Sequence, residues 1–110
     1  MRDSKRKKLV AKGWKVGAAR DFLGLTDEEA AYLALRLKLA RGLKAYRAKR
    51  DMTQVDLAQT VGSSQSRVAK MESGDPTVSL DLLIRALLVL GASGKDLARI
   101  IASAPVRVAA

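Results

Sequence analysis

The chain contains no cysteine and no histidine. A disulfide framework, a thiolate or imidazole metal site and a Cys or His catalyst are thereby excluded. Aromatic residues make up only 4% (Trp14, Phe22, Tyr32 and Tyr46), while Ala and Leu dominate. That alphabet favours helices and is poor in the β-branched and aromatic residues that strands prefer, so the expected fold class is all-α. No uninterrupted apolar run reaches the roughly 18 residues of a membrane span, and the best stretch, 82–92, is broken by Arg85. The basic start Lys5-Arg6-Lys7-Lys8 is not followed by an apolar segment, so it reads poorly as a secretory signal, and a cytoplasmic location is expected. Three adjacent carboxylates, Asp27, Glu28 and Glu29, stand at a helix start, where the helix dipole accounts for them. No convergent acid–base set remains, so neither an enzyme nor a cofactor is expected.

What the chain has is charge and a core. Its 110 residues suit one compact domain with an arm, and 48% apolar content suffices to fold it. The formal net charge is +10, a surplus that fits a polyanionic partner and equally an anionic membrane surface or mere solubility. The surplus is not spread evenly. Residues 1–20 carry eight Lys or Arg and one Asp; 21–35 carry four acids and no base; 36–50 carry seven bases and no acid. The first block surrounds Gly13, Trp14 and Gly17 and reads as a basic arm, 1–25, with either a solvated or a partner-binding role. Trp14 is a packing anchor or part of a partner surface.

Caps and periodicity divide the remainder. Thr26 and Glu29 have the spacing of a capping box. Leu33, Leu37 and Ala40, with Leu35, Leu39, Leu43 and Tyr46, then recur at helical spacing through Arg50. Gly42 is the weak point of this long first helix, where a kink or break is expected. Beyond Asp51 the helices shorten. Thr53 opens one that closes at Val61-Gly62; Ser63 or Ser64 opens the next, closed by Ser73-Gly74-Asp75-Pro76. Ser79 caps a third, whose leucines between 80 and 90 are expected in the core. Ser93, with Asp96 at N3, opens the last, and Pro105 ends the ordered part. The domain is accordingly placed at 26–104 and a tail at 105–110.

The informative stretch is 53–74, TQVDLAQTVGSSQSRVAKMESG. It reads as two helices of about two turns joined at Gly62, with Ala58 small where the axes approach. Val55, Leu57, Val61, Val68 and Met71 take inward spacings. Gln65, Ser66, Ala69, Lys70 and Ser73 are left facing outward. Such a short polar stripe fits the major groove, where Gln can bond adenine bidentately and Lys can reach guanine or phosphate.

From Leu43 to Ile101 the chain resembles the five-helix helix-turn-helix domain of the Cro/CI repressor superfamily. The matching run is Leu43, Tyr46-Arg47, Met52-Thr53-Gln54, Leu57-Ala58, Val61-Gly62, Ser64-Gln65-Ser66, Val68 and Met71-Glu72-Ser73-Gly74. The resemblance implies a sequence-specific transcriptional regulator, a repressor, with its recognition helix 64–73 in the major groove of double-stranded DNA. It places a phosphate contact on Gln54 and base reading on Ser64, Gln65, Ser66 and Lys70. It also implies a structural pair, Arg47 with Glu72. Arg67 lies beside the reading face, where phosphate contact and plain solvation both stay open. A homodimer is expected, since one short helix reads few base pairs. Its candidate seam is the helix 93–103, taken to carry Ile100 and Ile101 on one face. Residues 13–29, GWKVGAARDFLGLTDEE, resemble the HigA-like antitoxin branch, which implies an alternative role: neutralising a small RNase toxin through the N-terminal region and repressing its own operon. A protein of either kind is expected in the cytoplasm with the nucleoid.

Overall fold

The computed structural model describes residues 23–103. The arm before them, with Trp14, and the tail 105–110 lie outside the described residues. Residues 36–103 form one compact unit; 23–35 belong to a second and are described by themselves. Among the described residues there are five helices and no strand: α1 (Asp27–Lys49), α2 (Gln54–Val61), α3 (Gln65–Ser73), α4 (Leu80–Val89) and α5 (Gly94–Ala102).

Each start obeys the local chemistry of its cap. The Thr26 hydroxyl accepts from the Glu29 N–H at 3.1 Å and the Glu29 carboxylate accepts from the Thr26 N–H at 2.9 Å, closing the box that opens α1. Three acids follow in the first turn of α1 and Arg47 and Lys49 stand in its last, each complementing the dipole. Thr53 with Asp56, and Ser93 with Asp96, build further boxes on α2 and α5, while Ser64 and Ser79 cap α3 and α4 through single bonds. Both boxed carboxyls are held below the ordinary carboxylate range. The cause for Asp56 is first the Thr53 backbone N–H and for Asp96 first that of Ser93, since each donates to the ionised form.

Helix α1 passes through Gly42 without a break, against the expectation from propensity. The reason is tertiary. A Cβ at Gly42 would lie 2.9 Å from Ile100 Cδ1, so the missing side chain makes the space into which Ile100 packs. Four residues earlier, Lys38 Nζ donates to the Ile101 carbonyl at 3.0 Å, capping the end of α5 with a cation. These contacts correct the reading of Ile100 and Ile101 as one face: Ile100 turns in towards Gly42, whereas Ile101 is 45% exposed.

The core is aliphatic. Leu39, Leu43, Leu57, Val68, Met71, Val78, Leu83 and Leu87 are its largest fully buried side chains, drawn from α1 to α4 and from the α3–α4 loop. Burying each contributes roughly 1.5–3 kcal/mol relative to exposure. Two inward assignments are corrected. Val55 is 48% exposed and Leu88 49%. In α2 the buried pair is Leu57 and Ala58, and Val55 precedes them by more than half a turn. In α4 the buried stripe runs Leu83, Ala86, Leu87, which turns Leu88 a further 100° outward.

Candidate nucleic-acid interface

One tight turn joins α2 to α3, and one ion pair ties α3 back to α1. The turn depends on Gly62, whose φ of 70° is left-handed. It lets the Ser63 N–H return to the Ala58 carbonyl at 2.8 Å, closing the end of α2. Ala58, Leu57, Val68 and Met71 are buried, as their spacing requires. Val61 is half-buried.

The ion pair joins α1 to α3. Arg47 Nε donates to Glu72 Oε2 at 2.5 Å and Nη2 donates to Oε1 at 3.0 Å, a bidentate contact with side chains 15% and 3% exposed. Arg47 Nη1 also donates to the Met52 carbonyl at 2.8 Å, so the loop between α1 and α2 is tied to the same group. The hydrogen bond to Glu72 pushes the Arg47 guanidinium above its already high value.

From Glu72 the bonding continues to the surface. Gln54 Nε2 donates to Glu72 Oε1 at 3.2 Å, and Gln54 Oε1 accepts from Gln65 Nε2 at 3.3 Å. An unbroken chain therefore runs from half-buried Arg47 through buried Glu72 and half-buried Gln54 to exposed Gln65. The spacing of residues in the sequence carries no sign of it, because its members lie on three helices. Its effect is to pre-orient the Gln65 amide. One N–H is engaged by Gln54, and the carbonyl oxygen and the second N–H remain for an external partner.

Around Gln65 the side chains of Ser66, Arg67, Lys70 and Ser73 are exposed, whereas Ala69, expected to face outward with them, is half-buried. Ser64 stands at the N-cap, its hydroxyl oxygen accepting the Arg67 N–H at 3.2 Å. The Ser73 hydroxyl donates to the Lys70 carbonyl at 3.0 Å. With Arg67 and Lys70 against Glu72, whose charge is buried, this surface is only mildly basic. Chemically it offers amide and hydroxyl donors and acceptors flanked by two cations, the set that matches base edges beside phosphates. Among the described residues no cluster of acidic side chains could hold a metal. No described helix is long and apolar enough to cross a membrane. Sequence reasoning passed over Arg36, which is buried on α1 at 3% exposure. Its signal was a lone arginine one turn before Ala40 on the apolar face.

Two short helices at a glycine turn, the second presenting a polar stripe, define a DNA-binding helix-turn-helix domain. The helix-turn-helix family model matches residues 43–97, half of the 110-residue chain. The chain belongs to that family, the Cro/CI type, whose members are DNA-binding transcription regulators. No curated protein and no solved structure matches it.

Proposed function

We propose that the protein is a sequence-specific repressor that binds double-stranded DNA as a homodimer, with α3 in the major groove. The observation that carries this reading is the Gln54–Gln65 bond at 3.3 Å, which presents a pre-oriented amide on the exposed stripe. Gln65 reads adenine through its free carbonyl oxygen and remaining N–H, while Lys70 reaches guanine or phosphate. Ser64 and Ser66 contact neighbouring base edges. Gln54 turns its second N–H to a phosphate, and Arg67 supplies a cation beside it. The protein acts by occupancy of its site and catalyses nothing. Dimerisation doubles the length of sequence read, and exposed Ile101 on α5 is the apolar contribution to the seam.

Selection of bound duplexes from a random pool, at stated salt, tests the reading. A two-fold symmetric site is the expected result. Recovery of DNA with no preferred sequence overturns it. A second reading rests on the motif at 13–29, most of which lies outside the described residues: an antitoxin that neutralises a small RNase through its N-terminal region and represses its own operon. An adjacent reading frame whose product co-purifies with the protein, and is lost when residues 1–35 are removed, supports it; the absence of such a product overturns it.

A further inference from the structure

The part of α1 that precedes the family match reaches the far end of α3. Arg36 is 3% exposed among Leu37, Leu39, Ala40 and Leu43, all buried. A guanidinium so placed must have its donors met. Its Nη1 donates to the Asp75 carbonyl at 3.1 Å and to the Val78 carbonyl, both in the loop that follows α3. Gly74 caps α3 in the left-handed conformation, and Asp75, the next residue, completes the closure: its N–H donates to the Lys70 carbonyl at 3.0 Å. Three groups thus link α1 to the backbone of Lys70. Alongside them Leu37 fills the space over Gly74, where a Cβ would lie 2.8 Å from Leu37 Cδ2. The cation also faces the carbonyl end of α3, where the dipole favours it. Neither Arg36 nor Leu37 falls within the matched residues 43–97.

If Arg36 were there for stability alone, an apolar residue of similar volume would serve as well or better. Two of its hydrogen bonds go to the loop that follows α3, whose Asp75 N–H is bonded to the last turn of that helix, the turn that carries Lys70 and Ser73. We propose that Arg36 is a positioning residue for DNA reading: it holds that turn at the height and tilt from which Lys70 meets its base. The inference rests on the reading of α3 given above.

The test compares Arg36→Met and Arg36→Lys with the wild-type chain by amide hydrogen exchange and by DNA selection. In Arg36→Met the Gly74, Asp75 and Val78 amides are expected to exchange about tenfold faster while those of Leu57 and Leu83 do not change. Discrimination at the base read by Lys70 is expected to fall about tenfold, with affinity for non-specific duplex unchanged. Arg36→Lys, which keeps the charge with a shorter reach, is expected to restore part of both. Should Arg36→Met not fold, Arg36→Lys carries both measurements. Wild-type exchange at Gly74 and Asp75 in a folded variant, uniform acceleration through the core, or intact discrimination each overturns the proposal. If the wild-type chain itself shows no base preference, the reading of α3 fails, and the exchange result still decides whether Arg36 holds that turn.

Discussion

From Arg36 to Arg50 the chain carries seven cations and no anion, whereas α3 carries two cations and one anion across its nine residues. The difference assigns different work to the two. Arg41, Lys44, Lys49 and Arg50 are exposed, and charge so displayed attracts a polyanion without choosing among sequences. Helix α3 is nearly neutral, and its outward groups are amides and hydroxyls that distinguish one base edge from another. What joins the two lies inward: half-buried Arg47 and buried Arg36, both on α1, direct their charge to Glu72 and to the loop after α3. Attraction and selection are thus separated on the surface and coupled in the interior.

The sharpest way to break this arrangement is at the buried pair. Arg47→Ala leaves Glu72 buried without its cation and is expected to cost about 3–5 kcal/mol, read as a lower urea midpoint. Replacing both partners by apolar residues is expected to recover most of that loss. An equal loss in the double variant would show that the pair is not the unit of stability. Next in size is selection itself. Gln65→Ala is expected to relax preference at one base pair by about 1–3 kcal/mol. Lys44→Ala is expected to leave preference intact; if Lys44 meets a phosphate, the slope of affinity against salt falls by about one. If Gln65→Ala changes only the salt slope, or Lys44→Ala the base preference, the division of labour is wrong.

A smaller effect is expected where α1 meets α5. Gly42→Ala gains about 1 kcal/mol of helix propensity but drives a methyl against Ile100, whose Cδ1, Cγ1 and Cγ2 would all lie within 3.3 Å. A net loss of roughly 1 kcal/mol is expected, and Ile100→Val beside it is expected to turn the loss into a gain. Thermal unfolding of the single and double variants measures the coupling. Smallest is the acid response. Asp56 and Asp96 ionise more readily folded than unfolded, so their stabilisation is present above the ordinary carboxylate value of about 3.9 and is lost as pH falls through their lower folded values. Asp56→Asn and Asp96→Asn, which remove the titrating groups, are expected to flatten the urea midpoint between pH 5 and pH 2; an unaltered profile would remove these carboxylates from the account.

Much of this was legible along the chain because it is local. A cap, a glycine turn and an apolar period each act over four residues or fewer, so Thr26, Thr53, Ser79, Ser93 and Gly62 could be placed by eye. The errors arose where a neighbour distant in sequence decided. Leu87 and Leu88 are alike to any propensity scale, and only the packed stripe of α4 buries the first and exposes the second. Gly42 looks like a defect until Ile100 is set against it.

The sequence by itself determined the helices, their order, the unequal distribution of charge and the polar character of the stripe on α3, since backbone caps and side-chain chemistry are properties of short stretches. Only the tertiary structure decided which arginines are spent inside. Arg36, Arg41, Arg47 and Arg50 stand in one basic run, and their shared chemistry does not separate the inward from the outward; only the family resemblance singled out Arg47. Folding buries Arg36 and largely buries Arg47 and leaves Arg41 and Arg50 at the surface. A charge taken out of water must find its partners wherever the chain brings them, here at Glu72, Asp75 and Val78, some 25 to 42 residues away.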